Sequence, residues 1–506
     1  MKKEVPLPRC TPEEAGFSSL DVTACIQALQ HPETDMNSFI AARHGKVFAE
    51  CWWTPYSPEL VHVNHSFGKS YTATAIGIAE HEGYLKRSDK IVDIFEDEIR
   101  GYGITPSPRM KKITIEHVLT MTNGMAKMPS MEGNFVKNYL AAEVVYEPGT
   151  RFLYNSTGSC MLGAIIKKRT GMNLKEYLTP RLFEKIGIAP ENFTWLSFRG
   201  MGINAEPGTF AKTEDNLRLA MLYCSGGCWN GEQILAQDFV SNALSVKVDT
   251  FFAPEHKDGL QGYGYQLWKC SLPGVYRFDG GQGQYGLIWP EKDLVVAVHE
   301  GAYSPDGPQM TLDVLYDYLL GKIADEPLPE APENLLKLRE VEREVHVPAE
   351  APNSIPFPVE LAGTYAIQDG HFDPWFAASP PGVGDLFRIF REPELDIPIS
   401  FITLSASETG PEIRFGDDVL KASWDGNWKR EKANSCPYPN LGNYAACARM
   451  TDAATLEFNI RWLNGWFQTV LIFSFDGQGG LKLTTKKLRL NRSDNFLIYE
   501  NTATKI

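Results

Sequence analysis

Strand-forming segments stand at both ends of the first 325 residues, and helix-forming segments fill the stretch between them. Phe39-Ile-Ala-Ala-Arg-His44 and Val47-Phe-Ala-Glu-Cys-Trp-Trp53 read as two strands joined by a His44-Gly45-Lys46 turn, after a helical spacing from Ser18 to Gln30. Residues 66 to about 245 are mainly helical, including Thr114 to Leu119, Tyr154 to Thr170, Leu174 to Ile186 and Thr213 to Ser225. Strand patterns return at Tyr263 to Trp268, Val275 to Phe278, Tyr285 to Trp289 and Leu294 to Val298, with Pro290 to Asp293 as a turn and a helix over Met310 to Ile323. Early and late strands around a helical middle predict an α+β fold, in which one antiparallel sheet is built from both ends and flanked by helices. The inserted helical region, about 80–245, then meets the sheet at a cleft, a common place for a substrate site.

The rest of the chain has a different character. Residues 326–358 are rich in proline and glutamate and read as a linker, with Asn334 to Val341 able to form a short helix. From 359 to 506, Leu361 to Tyr365, Ile399 to Leu404, Thr455 to Leu463, Trp466 to Phe475, Leu481 to Leu490 and Phe496 to Tyr499 read as strands, and Asn464-Gly465 is a hairpin signal. These predict a small antiparallel β-barrel or sandwich. The expected organisation is thus 1–325, linker 326–358, and a C-terminal antiparallel β domain at 359–506.

Charge and cysteine usage narrow the partners. A net charge of −14 repels nucleic acid and anionic membrane surfaces, which leaves a small-molecule or peptide-like substrate. Nine cysteines, an odd number spread along the chain, fit reduced thiols, and the first residues show no signal peptide or apolar anchor, so a cytoplasmic location is expected. Cys224-Ser-Gly-Gly-Cys228 has no partner pair at zinc-ligand spacing, and His62-Val-Asn-His65 holds no carboxylate between its histidines. No metal and no cofactor are expected.

Ser66-Phe67-Gly68-Lys69 opens an apolar run that reads as a buried helix from Tyr71 to Ala79. Residues three apart on a helix share a face, with roughly 5–6 Å between Cβ atoms. A hydroxyl nucleophile therefore stands beside a candidate base, at a helix start whose N–H groups favour developing negative charge. Two further candidates are Pro148-Gly-Thr-Arg-Phe-Leu-Tyr154-Asn155-Ser156, a turn running into a helix, and Gly280-Gly281-Gln282-Gly283-Gln284-Tyr285, which enters a strand. Gly281-Gln-Gly283-Gln-Tyr-Gly286 also matches a dinucleotide fingerprint. That fingerprint must open a helix, whereas Leu287 to Val298 gives strand, turn and strand, so nicotinamide binding is rejected.

In order and spacing, the three segments resemble the active-site motifs of the class C β-lactamase and penicillin-binding-protein-like serine hydrolases, which include esterases and D-aminopeptidases. The resemblance covers roughly residues 12–322 and extends to Ile113-Thr-Ile-Glu-His-Val-Leu-Thr-Met-Thr-Asn-Gly124. It implies a β-lactamase/transpeptidase-like fold and an acyl-enzyme on Ser66, with Lys69 and Tyr154 sharing proton transfer and the backbone N–H groups of Ser66 and Gln284 forming the oxyanion hole. As a base, Lys69 must fall about 3 units from about 10.4, at a cost of ~4 kcal/mol to its charged form. Alternatively a charged Lys69 lowers the Tyr154 phenol so that tyrosine is the base. Both patterns stay open at this level.

Departures from the family pattern bear on the substrate. Gly281, Gln282 and Gly283 occupy the positions where β-lactamases and carboxypeptidases usually carry lysine or histidine, then threonine or serine, then glycine, so the cation for a substrate carboxylate is missing. Arg277 is a candidate replacement, set against a solvated position on an edge strand. Ser156 stands where the second motif usually has asparagine, offering a hydroxyl with shorter reach. Ser156, Gly281, Gln282 and Gly283 are the substrate-binding candidates. The expectation is a serine hydrolase acting on an ester, or on a peptide-like amide without a nearby carboxylate, with esterase activity favoured. A D-aminopeptidase or other peptidase, or a β-lactamase of the same fold, is the alternative; outside enzymes, it is a penicillin-recognising or ligand-binding protein without turnover. Relatives with an appended barrel imply that residues 359–506 border the cleft.

Overall fold

The computed structural model describes residues 5–251, 256–302, 304–349, 351–368, 399–433, 440–465, 467–488 and 496–506. The expected strands at Trp466, Arg489 and Leu490 therefore lie partly outside the described residues.

A six-stranded sheet runs in the order Lys46–Trp52, Met36–Arg43, Leu294–Glu300, Gln284–Trp289, Tyr276–Gly280, Trp268–Lys269. Its centre joins the two ends of the expected segment. Phe39 pairs with Val298 and Ile40 with Ala297, antiparallel. Successive strand residues point to opposite faces, and here both faces are dry. Phe39, Ala41, Val296 and Val298 pack with Val22, Ile26 and Leu29 of helix Ser19–Leu29 and with Leu312 and Leu315 of helix Gly307–Tyr318. Ile40, Ala42, Val295 and Ala297 face the other way, into the cluster that holds Tyr71, Ala75, Leu217 and Ala220 of helices Gly68–His81 and Thr213–Cys224. Double coverage explains why Met36–Arg43 is buried along its whole length instead of alternating.

Two stretches depart from the expected elements. Thr194–Ser197 and Asn204–Ala211 are strands inside the helical region, forming a three-stranded sheet with His62–Val63. Pro207 and Gly208 within the second strand give it the local look of a turn. Tyr263 to Trp268 is not a continuous strand, because Gln266 adopts φ +57° and only Trp268–Lys269 pairs with the sheet. In the proline- and glutamate-rich segment, helix Pro332–Glu344 places Leu338, fully buried, in the cluster beneath helix Ser19–Leu29.

The C-terminal region is a ten-stranded antiparallel sheet that curls into a near-closed barrel. Its end strands, Asp418–Lys421 and Lys429–Lys432, are brought together by Tyr444 on the strand next to the latter. The Tyr444 hydroxyl accepts from the Lys421 N–H at 2.9 Å and donates to the Val419 carbonyl at 3.3 Å. Strands Pro411–Phe415, Asp418–Lys421, Lys429–Lys432 and Asn443–Asp452 were not expected.

The barrel docks on the hydrolase-like part through its Trp462–Gly465 hairpin. The Val63 N–H donates to the Asn464 carbonyl at 2.9 Å, Asn464 Nδ2 donates to the Val61 carbonyl at 2.7 Å, and His62 Nε2 lies 3.1 Å from the Gly465 carbonyl. Among the described residues no helix is long and apolar enough to cross a membrane.

Candidate active site

Ser66 lies in a 3₁₀ turn, His65–Phe67, that feeds helix Gly68–His81, whose residues from Gly68 to Ala79 are all buried. His65 takes φ +48°, so the chain turns sharply before Ser66. Gly68 is required by what lies against it. A Cβ there would stand 2.1 Å from the Glu206 carbonyl oxygen and 2.7 Å from Thr209 Oγ1. Strand Asn204–Ala211 therefore presses directly on the helix start and carries Glu206 under it.

Lys69 Nζ donates to Ser66 Oγ at 2.8 Å and to Glu206 Oε1 at 2.8 Å, with both charged side chains withdrawn from solvent. The same nitrogen is 4.9 Å from the centroid of the Tyr154 ring, which stacks on Trp268. Tyr154 precedes helix Ser156–Thr170, whose start is fixed by Asn155 Oδ1 accepting from the Gly158 N–H at 2.9 Å. Its hydroxyl interacts electrostatically with Lys69 and with Ser66. Ser66, Lys69 and Tyr154 are thus brought together. Ser156 is the first residue of the helix and makes no side-chain hydrogen bond to the other three among the described residues.

Electrostatics follow from burial and pairing. Burial alone would lower the Lys69 pKa, but the Glu206 carboxylate and Tyr154 outweigh it and hold the ammonium above its ordinary range. Burial pushes Glu206 up to about 7 even though Lys69 opposes the shift. Burial likewise raises Tyr154, with Lys69 countering. Glu206 was not among the sequence candidates. Its signal is a carboxylate in an otherwise uncharged stretch, Ile203 to Ala211, where a fully buried acid needs a cation.

The glycine-rich turn joins strands Tyr276–Gly280 and Gln284–Trp289. At Gly280 a Cβ would fall 2.1 Å from the Asn64 carbonyl oxygen and 3.1 Å from the Phe67 nitrogen, so this strand end lies against the Ser66 turn. Gln282 and Gly283 both take positive φ, +62° and +85°, and a Cβ at Gly283 would overlap the buried Glu300 carboxyl. Gln284 sits on an inner strand, paired with Gly280, and its Nε2 donates to the Gly281, Gln282 and Glu300 carbonyls at 3.2, 3.3 and 2.5 Å. Gln284, the expected N–H donor, is the register partner of Gly280, while the exposed Gly281 borders His65. Neither the Ser66 nor the Gly281 N–H has a backbone partner among the described residues.

Arg277 is neither solvated nor on an edge, because Trp268–Lys269 covers its strand. It is 5% exposed, with Nε on Asp279 at 2.7 Å and its terminal nitrogens on the Asp258 and Lys269 carbonyls. It does not replace the missing cation. Among the described residues no three His, Cys, Asp or Glu side chains converge to hold a metal ion. A cavity of about 810 Å³ lined by Leu7, Ile188, Met221 and Trp229 contains none of the candidate residues.

Penicillin-binding protein 4* of Bacillus subtilis (strain 168) is 26% identical over 140 residues, 24% of this chain and 28% of that protein, so the match spans little more than a quarter of the curated relative. A penicillin-binding protein homologue from Caulobacter crescentus aligns at TM-score 0.48 and 13% identity, covering 62% of this chain and 100% of that one. An octameric penicillin-binding protein homologue from Pyrococcus abyssi aligns at 0.45 and 16%, covering 96% of this chain and 99% of that one. The Beta-lactamase family model matches residues 34–312, which takes in both halves of the central sheet, the helical insert and all three motif segments. With more than half of its length so matched, the chain belongs to the Beta-lactamase family, a family of hydrolases.

Proposed function

We propose that this chain is a serine hydrolase that works through an acyl-enzyme on Ser66, with an ester as its favoured substrate. The observation that carries the proposal is the 2.8 Å contact of Lys69 Nζ with Ser66 Oγ at a helix start, with the Tyr154 ring centroid 4.9 Å from the same nitrogen. A serine hydroxyl is a weak nucleophile unless a neighbour takes its proton. Here Ser66 Oγ bonds to the substrate carbonyl carbon, its proton leaves through the Lys69–Tyr154 pair, and the departing alcohol oxygen takes that proton. Water then attacks the acyl-enzyme with the same pair acting in reverse. We assign the oxyanion donors to the Ser66 and Gly281 N–H groups in place of Gln284, because neither has a backbone partner among the described residues and Gly281 adjoins the Ser66 turn. The preference for an ester, or for an amide without a carboxylate beside it, rests on Gly281, Gln282 and Gly283 supplying no cation at the glycine-rich turn and on Arg277 being tied to Asp279. Ser156 and Gln282 orient the substrate.

The test is turnover of an activated short-chain nitrophenyl ester and intact mass after fluorophosphonate treatment, for wild type and Ser66→Ala. Wild type should hydrolyse the ester and gain one adduct, and Ser66→Ala should do neither. Equal behaviour of the two proteins would remove Ser66 as the nucleophile.

A further inference from the structure

We propose that Glu206 is a positioning residue of this reaction: its buried carboxylate holds Lys69 as an ammonium ion, so that Lys69 acts on Ser66 as a cation and the Ser66 proton passes through Tyr154. The inference rests on the assignment of Ser66 as nucleophile given above and goes beyond it by fixing the route of the proton.

Geometry carries the argument. An ammonium group has three protons. One is directed to Ser66 Oγ and one to Glu206 Oε1, each at 2.8 Å, and the same nitrogen lies 4.9 Å from the centroid of the Tyr154 ring. A Lys69 that donates to Ser66 Oγ does not take the proton from it, which leaves the Tyr154 oxygen as the neighbour that can. Removing a charge from water is costly unless it is paired, and Glu206 is fully buried with its second oxygen, Oε2, lacking a hydrogen-bond partner among the described residues. Its placement depends on Gly68, the only residue type that lets strand Asn204–Ala211 lie on the helix start. The other titratable groups facing the pair are Tyr154 and Cys160 from the segment around helix Ser156–Thr170, Tyr263 from the loop before Trp268, His65 from the Ser66 turn and Asp279 from the central sheet. None of these supplies a second carboxylate in contact with Lys69. The step balances without a phenolate: as Ser66 Oγ bonds to the carbonyl carbon, Tyr154 accepts the serine proton and gives its own to the leaving oxygen. The Lys69 charge stabilises both oxygens throughout.

The experiment is the rate of fluorophosphonate labelling, read by intact mass between about pH 5 and pH 10, for wild type, Glu206→Gln and Glu206→Asp. With Glu206 ionising at about 7, the wild-type rate should rise through that pH and stay level above it. Glu206→Gln should lack this limb, label about ten- to a hundred-fold more slowly at about pH 8, and lose further rate as the unpaired, buried Lys69 gives up its proton. Glu206→Asp, which keeps the charge, should retain the wild-type profile within a few-fold. Labelling of Glu206→Gln at or above the wild-type rate would mean that Glu206 was suppressing a neutral lysine base, and an unmoved profile would mean a structural role only; either overturns the proposal. If Glu206→Gln does not fold, as judged by circular dichroism, the wild type still decides: a labelling rate that does not rise through about pH 7 overturns the proposal. Absence of any wild-type labelling refutes the Ser66 assignment and the Glu206 proposal with it, whereas labelling of the wild type with an unmoved Glu206→Gln profile refutes the Glu206 proposal alone.

Discussion

Gly281 has room for a Cβ, its nearest neighbour the His65 ring at 4.0 Å, whereas Gly280 one residue earlier has the Asn64 carbonyl at 2.1 Å. Adjacent glycines thus answer to different demands, one to packing and one to its N–H. Gly281→Ala should leave ester turnover within about twofold, and Gly281→Pro, which deletes the N–H, should lower kcat by about 10²- to 10³-fold with the fold intact. Equal kinetics for the two variants would show that the Gly281 N–H does not meet the oxyanion. The residues brought together here were legible in sequence to the extent that their spacing is local. Ser66 and Lys69 lie three apart on one helix, and Tyr154 opens another, so local periodicity finds them. Glu206 is 137 residues from Lys69 along the chain, and its partnership exists only once a strand with a proline and a glycine in it has been laid on the helix start. The register that pairs Gln284 with Gly280 is likewise not visible in the motif, and it is the strand pairing that motivates the proposal of Gly281 as oxyanion donor in place of Gln284.

Among elements, the two-residue strand His62–Val63 has the strongest constraint, held on one side by Phe210 and Ala211 and on the other by the barrel hairpin. It leads straight into the Ser66 turn, and a buried polar network sits behind it. Asn216 Nδ2 donates to Asn64 Oδ1 at 2.8 Å and to His299 Nε2 at 2.9 Å, while Thr213 Oγ1 contacts His299 Nδ1 at 3.2 Å. Burial, followed by the neighbouring His62, lowers the His299 pKa well below its ordinary value and brings His65 to about 3. The unfolded chain takes up protons on these rings below about pH 6.5, and the folded chain does not, so stability is complete above that pH and falls as acid is added. Burial also brings His62 down to about 4, so three rings give a slope of at most about 4 kcal/mol per pH unit. Urea unfolding at about pH 8 and about pH 5 should show the loss, and His65→Asn, which tolerates the left-handed backbone, should reduce the slope by about a third. An unchanged slope in that variant would mean that His65 is not held neutral. The long elements around this strand follow directly from apolar periodicity. The barrel's edge strands do not: Lys429–Lys432 has no apolar residue, and the alternation that marks a half-buried strand is absent from it.

Across the molecule, the central sheet, the helical insert and the barrel meet at the segment just before Ser66. Asp35, at the start of the first central strand, and Arg461, beside the barrel hairpin, form an ion pair at 2.8 Å with side chains 7% and 6% exposed. Arg461 also donates to the Tyr56 hydroxyl at 3.3 Å, and its guanidinium lies 5.8 Å from the Trp428 ring centroid. A buried pair contributes little net stability over an apolar replacement, but losing one partner strands the other charge at a cost of about 3–5 kcal/mol. Arg461→Met and Asp35→Asn should therefore each lower the unfolding free energy by about that amount, and the double variant should recover most of the loss. Because Asn464, three residues after Arg461, holds Val61 and Val63 in place, each single variant should also slow acylation of Ser66 under conditions where the protein is still folded. The measurement is a double-mutant cycle read twice, by urea unfolding and by fluorophosphonate labelling rate. Coupling in both readouts would make the barrel a brace for the nucleophile's turn. Coupling in stability with no change in labelling would confine the pair to holding the two parts together, and the absence of coupling in either would leave the tie between barrel and Ser66 turn to the hairpin's own hydrogen bonds with Val61, His62 and Val63.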